Sequence, residues 1–234
     1  MFGADALSDA MQTVLLADDH PLFRDALRRA LTQLLPQAQV READSVPALV
    51  ELAQHAPDAE LLLLDLNMPG AHGFSALAHV RAHFPTLPVI VVSAREEPAL
   101  MLRAIAHGAA GFIPKSADLA GIAAAVQAVL AGGTWLPPGV SAQQARLDPA
   151  EQALAARVAE LTPQQYRVLS QVCTGLLNKQ IAFDLGVSEA TIKAHMTAIL
   201  RKLGAQSRTQ LVLLAGRLTL DGRPARLPVA DEDE

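Results

Sequence analysis

The sequence predicts two domains of different class, an α/β domain with a five-stranded parallel sheet followed by a small all-α domain. Between residues 13 and 131, short apolar runs alternate with stretches of helical periodicity. That pattern is typical of a parallel sheet covered by helices on both faces. Between residues 160 and 220, four short helical segments begin and end at clear signals. The 234 residues, 51% of them apolar, are enough for two buried cores.

Polar residues stand at the carboxyl ends of the predicted strands in the first domain. They are Asp18 and Asp19 after the first strand, Asp65 after four leucines, Ser93 at the end of VIVVS, and Lys115 after GFIP. Because the carboxyl ends of parallel strands share one edge of a sheet, we expect all five to gather there. Any one of them is typical of a solvated turn, but five on one edge indicate a site.

The chemistry of these residues favours phosphoryl transfer. Three carboxylates suit a hard, oxygen-seeking ion such as Mg²⁺. Such an ion neutralises an incoming phosphate, so that the Asp65 carboxylate can attack phosphorus and form an acyl phosphate. Lys115 can pair with the phosphoryl oxygens, and the Ser93 hydroxyl can donate to one of them.

Residues 13 to 131 resemble the receiver domain of a two-component response regulator, which has a flavodoxin-like fold. The segments that carry the resemblance are DDHP, DLNMPG, the serine that ends the fourth strand, and GFIPK. The resemblance implies that Asp65 is the phosphoacceptor. It further implies that Asp19 binds Mg²⁺ directly, Asp18 largely through water, and Asn67 through its backbone carbonyl. Ser93 and Phe112 would form a switch pair, although Phe112 also fits simple core packing.

The second domain differs from the first in charge. Residues 1 to 131 carry 8 basic against 14 acidic side chains, a net charge of −6, whereas residues 160 to 220 carry 7 against 3, a net charge of +4. A short helix, a Gly-Val-Ser turn and a longer basic helix predict a helix-turn-helix in this basic region. Candidate caps of its helices are Thr162, Asn178, Ser188 and Ser207, while Ser116 would cap the last helix of the first domain.

The segments LTPQQYRVL and GLLNKQIAFDLGVSEATIKAHMTAILRKLGAQSRTQ resemble the LuxR/NarL/FixJ type of DNA-binding domain. The resemblance implies that the third helix, about residues 189 to 203, enters the major groove, with Lys193 as base reader and Ala194 and Thr197 near base edges. Candidates for contact with phosphate are Lys179, Thr191, His195, Arg201, Lys202 and Arg208. The fourth helix would form the dimer contact on DNA.

We predict four segments: a receiver over 12–131, a partly helical linker over 132–159, the helix-turn-helix domain over 160–220, and a disordered acidic tail over 221–234. Cys173 is the only cysteine, which excludes an intrachain disulfide and a cysteine-based zinc site. No apolar run approaches membrane-spanning length and the N-terminus lacks a signal pattern, so we expect no membrane partner and a cytoplasmic protein.

The sequence is therefore interpreted as a response regulator of the NarL/FixJ family and not as an enzyme. A sensor histidine kinase would phosphorylate Asp65, and the protein would bind double-stranded DNA and form a homodimer when phosphorylated or DNA-bound. One alternative is a phosphatase or phosphotransferase, but that would want an aspartate where Asn67 stands. The other is a phosphorylation-independent DNA-binding regulator whose receiver serves protein interaction. Whether the receiver covers the recognition helix at rest stays open.

Overall fold

The first domain is a five-stranded parallel sheet with helices on both faces, as predicted. The computed structural model describes residues 12–71 and 73–218. The strands are β1 Thr13–Ala17, β2 Gln39–Ala43, β3 Ala59–Asp65, β4 Val89–Ser93 and β5 Gly111–Pro114. The helices between and after them are α1 Pro21–Leu34, α2 Val46–Gln54, α3 Ser75–His83, α4 Pro98–Ala106 and α5 Leu119–Leu130. The strand order is β2-β1-β3-β4-β5, which places β3 at the centre.

The leucine run of β3 is unbroken because helices cover both faces of the sheet. Leu62 and Leu64 belong to one hydrophobic cluster, and Leu61 and Leu63 belong to the other. Successive side chains of a strand point to opposite faces, so a strand buried on both sides must be apolar at every position. The order of strands reverses at β1 and β3, and the carboxyl ends of these two neighbours face the crevice where ligands of open α/β sheets bind.

After the receiver the described chain is helical, with the predicted linker helix first and the helices of the second domain after it. These helices are α6 Pro149–Ala159, α7 Pro163–Cys173, α8 Asn178–Asp184, α9 Glu189–Leu203 and α10 Arg208–Ala215, with short 3₁₀ turns at Ala142–Gln144 and Gly216–Leu218. Thr162, a predicted cap, forms a capping box with Gln165 at the start of α7. Ser188 caps α9 by accepting a bond from the Thr191 N–H. The predicted tail, residues 221 to 234, lies outside the described residues.

Two predicted caps are wrong. The cap of α5 is Asp118, whose side chain accepts a bond from the Gly121 N–H, whereas the Ser116 hydroxyl donates to Glu96 Oε1 at 2.6 Å. Asn178 is the first residue of α8 and does not precede it. In both cases the sequence offered a polar residue one or two positions from the true boundary, where several candidates compete.

The linker helix α6 packs against the receiver instead of merely spanning two domains. Leu154 and Val158 of α6 are buried in the same hydrophobic cluster as Leu77 and Val80 of α3. Trp135 of the linker lies elsewhere, at the sheet edge, where its main-chain N–H donates to the Ala110 carbonyl and its carbonyl accepts a bond from the Phe112 N–H of β5. The cluster continues into α7 and α9, so the two domains share one apolar interior.

A buried polar and aromatic stack joins α3 of the receiver to α7. The Ser75 hydroxyl and the Tyr166 hydroxyl form a hydrogen bond of 2.9 Å. The Tyr166 ring stacks on His79 with centroids 4.1 Å apart, and His79 stacks in turn on His83 at 4.1 Å. Burial, together with the adjacent His83 imidazole, lowers the pKa of His79 to about 3. The Val158 main chain raises this pKa and offsets only part of the shift.

This shift makes the free energy of unfolding fall in mild acid. The unfolded chain takes up a proton on His79 below its ordinary pKa of 6.5, whereas the folded protein excludes it until about pH 3. The stability that comes from keeping His79 neutral is therefore fully present above pH 6.5 and is lost as the pH falls below that value. Between pH 7 and 5 the wild type should lose about 2 kcal/mol more stability than His79→Phe, which keeps an aromatic ring and cannot titrate.

Denaturant unfolding of both proteins at the two pH values measures this difference. Because the comparison uses the change with pH, a general loss of stability in the variant does not affect it. Equal pH dependence of the two proteins would contradict a buried, neutral His79.

Candidate functional site

The central residue of the site is Asp65, the last residue of β3. Its side chain is almost entirely buried, 1% exposed for the whole residue. One oxygen, Oδ1, accepts a bond of 2.9 Å from the Asn67 N–H in the turn that follows. The other, Oδ2, accepts a bond of 2.8 Å from Lys115 Nζ. The carboxylate is thus fixed in position by the two loops that leave β3 and β5.

Lys115 bridges two buried carboxylates. Its Nζ lies 2.7 Å from Asp18 Oδ2 as well as 2.8 Å from Asp65 Oδ2. The ammonium also lies 4.7 Å from the centre of the Phe23 ring on α1, within cation–π range. Burial works against the charged amine, but the hydrogen bonds and charges of Asp18 and Asp65 outweigh it and raise the pKa of Lys115.

The loop after β1 presents two aspartates and a histidine. The Asp18 carbonyl accepts a bond of 2.6 Å from Arg24 on α1, which holds this loop against the helix. His20 Nδ1 lies 2.9 Å from Asp19 Oδ1 and 3.2 Å from Asp18 Oδ1. Sequence reasoning missed His20 as a member of the site, although its place directly after two aspartates was the available signal.

The site fits a hard divalent cation. One ligand atom from each of Asp18, Asp19, His20 and Asp65 lies within 4.8 Å of all the others. The three carboxylates carry three negative charges, and only Lys115 among the site residues offsets them with a permanent positive charge. Oxygen donors with surplus negative charge are what Mg²⁺ prefers. No other group of three or more potential ligands occurs among the described residues.

Ser93 and Phe112 lie beside this site on neighbouring strands. Ser93 ends β4, is fully buried, and accepts a bond of 3.1 Å at Oγ from the Arg95 N–H. Its carbonyl accepts a bond of 2.7 Å from the Lys115 N–H, which ties β4 to the lysine. Phe112 pairs with Val91 and is fully buried. That position suits both an inward-turned switch residue and a simple core residue, so the switch role stays a prediction.

The face of α9 that was predicted to read DNA is exposed. Lys193, Ala194, Thr197 and Arg201 are all accessible, whereas Ile192, Met196, Ile199 and Leu203 are buried on the opposite side. Lys193 pairs with Glu189 one turn earlier at 3.0 Å, a contact that is itself exposed. The receiver therefore leaves the recognition face of α9 uncovered in this arrangement.

Two of the predicted phosphate contacts have partners within the protein. Lys202 Nζ donates to the Glu160 carbonyl at 2.7 Å and to Gln165 Oε1 at 2.8 Å. Arg208 donates to the carbonyls of Val172 and Leu176. Both side chains fasten helices of the small domain to one another. Lys179 and Thr191 are exposed at the first turns of α8 and α9, and His195 is half-buried.

Comparison with known families and structures agrees with both halves of the fold. Residues 14–127 match the family described as the response regulator receiver domain, and residues 159–215 match the bacterial regulatory proteins of the luxR family. A receiver followed by a helix-turn-helix domain defines the response regulators that act on DNA. The chain belongs to the NarL/FixJ family of two-component response regulators, whose output domain is of the LuxR type.

Several relatives match along nearly their whole length. The chain is 40% identical to a glycerol metabolism activator of Pseudomonas putida, over 88% of this chain and 96% of the relative. It is 31% identical to the nitrate/nitrite response regulator NarL of Escherichia coli, over 85% of this chain and 92% of the relative. Among solved structures, RcsB from Salmonella enterica bound to promoter P1flhDC has a TM-score of 0.52 and 26% identity, over 90% and 100%. Within the described residues, no helix has the length and apolar character needed to cross a bilayer.

Removing the shared lysine should destabilise the receiver. In Lys115→Met, the buried carboxylates of Asp18 and Asp65 lose their common partner, at a cost of about 1–3 kcal/mol in a metal-free buffer. Denaturant unfolding measures the cost, and added Mg²⁺ should restore more stability to the variant than it adds to the wild type. Lys179→Met, which removes an exposed lysine, is the matched control. Equal stability of both variants would show that Lys115 does not balance the two carboxylates.

Proposed function

We propose that this response regulator accepts a phosphoryl group on Asp65 and thereby controls binding of its helix-turn-helix domain to DNA. The observation that carries the proposal is the geometry of Asp65, a buried carboxylate held at 2.8 Å by Lys115 beside Asp18 and Asp19. Two charged loops converge on one carboxylate at the crevice of a parallel sheet. That arrangement supports a role for Asp65 as the nucleophile toward a phosphoryl donor.

Each residue of the site has a chemical task in this transfer. An Asp65 oxygen forms the new bond to phosphorus while the bond from phosphorus to the donor nitrogen breaks and the donor imidazole leaves. Lys115 pairs with a phosphoryl oxygen and Ser93 donates to another. Asp18, Asp19, Asp65 and the Asn67 backbone carbonyl would hold Mg²⁺, which supplies neutralising charge for the phosphoryl oxygens.

The proposed partners are a sensor histidine kinase, double-stranded DNA and a second copy of the chain. The kinase is the phosphoryl donor that the receiver class implies, and DNA is the ligand that the exposed basic face of α9 suits. One related structure is described as RcsB bound to a promoter in the presence of the phosphomimetic BeF₃⁻, and another as two RcsB dimers bound to two parallel DNAs. By analogy we assign this chain DNA binding and dimerisation when phosphorylated or bound to DNA.

Ser93 and Phe112 are proposed as the pair that reports phosphorylation to the rest of the receiver. When the Ser93 hydroxyl turns toward a phosphoryl oxygen, it leaves the Arg95 N–H that it now accepts from. The Phe112 ring occupies the interior behind it.

We further propose the segment boundaries given above, a cytoplasmic location and no enzymatic turnover, since Asn67 stands where a second catalytic aspartate would be needed.

The decisive experiment compares the wild type with Asp65→Ala, each with Mg²⁺ and with or without acetyl phosphate. The wild type should gain one phosphoryl group by intact mass, then dimerise and bind DNA more tightly, whereas Asp65→Ala should do none of these. Analytical ultracentrifugation reports the oligomeric state. If both proteins bind DNA equally whatever the donor, the receiver is an interaction module and phosphorylation control is wrong.

Two residues of α9 should affect DNA binding in different ways. Lys193→Ala should cost about 1–3 kcal/mol and relax the preference at one base pair, because a base contact carries sequence information. Arg201→Ala should weaken binding to all sequences alike, because a contact with phosphate carries no sequence information. It should also lower the salt dependence of the binding constant by about one released ion. Fluorescence anisotropy over a salt series measures both, using a duplex selected from a random pool by the phosphorylated wild type. Identical effects of the two changes would reject these assignments.

A further inference from the structure

Two side chains of the receiver contact the linker helix α6 through one glutamate of that helix. Glu151, in the first turn of α6, is only 12% exposed at its side chain. Its Oε1 accepts a bond of 2.6 Å from Arg103, in the carboxyl-terminal half of α4, and a bond of 2.7 Å from His107 Nε2, directly after that helix. The two donors converge on one oxygen. We call Glu151, Arg103 and His107 the Glu151 clamp.

The clamp rests on an aromatic platform at the start of α3. The Phe74 ring stacks on His107 with centroids 4.6 Å apart, and the Arg103 guanidinium lies 4.9 Å from the centre of the same ring. The Phe74 N–H donates to the Leu218 carbonyl at 2.9 Å, so the same residue also holds the end of the small domain. Burial lowers the pKa of His107 while the bond to Glu151 opposes the shift.

The clamp is connected to the phosphorylation site through α4. Ser93 ends β4, Arg95 bonds its hydroxyl, and α4 begins three residues later at Pro98. The loop between them is tied to the β5 side by the bond from Ser116 to Glu96. A movement of the Ser93 hydroxyl toward a phosphoryl group would break the Arg95 contact and shift the entry to α4. Arg103 and His107 would then move with the helix.

A second contact joins the phosphoacceptor loop directly to the small domain. Gly70, five residues after Asp65, has a φ of +82°, and a Cβ at this position would lie 2.9 Å from Ser170 Cβ on α7. The Pro69 carbonyl beside it accepts a bond from the Val46 N–H on α2. The loop that carries the phosphoacceptor is thus in contact with both sides of the interface between domains.

We propose that the Glu151 clamp holds the DNA-binding domain against the unphosphorylated receiver, and that phosphorylation of Asp65 opens it by displacing α4. The inference rests on the proposed function of Asp65. Because the recognition face of α9 is exposed in the docked state, the clamp restrains where the domain can go and does not mask its DNA-binding face. Its release allows the small domains of two chains to take up the spacing of two half-sites.

Hydrogen exchange of the full chain tests the clamp without a known operator. In Glu151→Ala, amides at the start of α3 and in α6 should exchange about ten- to a hundredfold faster than in the wild type without any phosphodonor, because two buried donors lose their acceptor. Glu151→Gln keeps a hydrogen-bonding oxygen but no charge and should show a smaller increase. Glu60→Ala, which removes an exposed glutamate of β3, should exchange as the wild type does. Unchanged exchange of β3 amides verifies that each receiver is folded.

The phosphorylation arm uses acetyl phosphate and Mg²⁺, with intact mass measured on the same samples. Phosphorylated wild type should show the faster exchange of Glu151→Ala at the same amides, and Asp65→Ala should not. Unchanged exchange in both Glu151 variants would overturn the clamp. If these variants exchange faster but the phosphorylated wild type does not, release by phosphorylation is wrong. Absence of the phosphoryl mass in the wild type would instead reject the proposed function of Asp65, and with it phosphorylation as the trigger.

Discussion

Two buried carboxylates at the edge of the sheet, Asp18 and Asp65, depend on one ammonium group, and the geometry of the site follows from that constraint. Lys115 stands after β5, whereas Asp65 and Asp18 stand after β3 and β1. In the order β2-β1-β3-β4-β5, the lysine must reach across the end of β4 to contact them. A small residue, Ser93, ends that strand and leaves the path open. Strand order, strand lengths and the identity of one small side chain together make the shared ion pair possible.

The same loops that form the site also reach the second domain. The loop after β3 follows Asp65 and contains Gly70, where only a residue without a Cβ fits against Ser170. The loop after β4 follows Ser93 and leads into α4, which carries Arg103 and is followed directly by His107. A change at Asp65 therefore acts on one loop that contacts α7 and on a neighbouring loop that leads into α4, the helix whose far end contacts α6. No long chain of intervening side chains is required to couple the two domains.

The sequence predicted the fold and the residues that gather at the sheet edge because both depend on local patterns. A leucine run followed by an aspartate, a proline and a glycine fixes a buried strand, its end and its turn. The docking of the domains had no such signal, since Ser75 and Tyr166 are 91 positions apart and neither is unusual in its own helix. Lys202 and Arg208 were predicted as phosphate contacts from the family resemblance, a role that stays a prediction, whereas the main-chain carbonyls that accept their hydrogen bonds were not predicted. Which carbonyl lies near a long side chain is decided by tertiary packing, which periodicity does not report.

Phosphorylation can release the small domain from the receiver only if the docked state is weakly favoured. Reversing a two-state population from 1:99 to 99:1 requires about 5.5 kcal/mol of differential stabilisation. The contact between the domains combines an apolar cluster with polar elements, namely the Glu151 clamp and the stack of Tyr166, His79 and His83. Buried charges and imidazoles are costly to desolvate, so such elements add specificity to an interface while contributing little net stability. An all-apolar contact of the same extent would dock the domains too firmly for one phosphoryl group to release them. The polar composition of the interface is therefore what a reversible, phosphorylation-dependent docking requires.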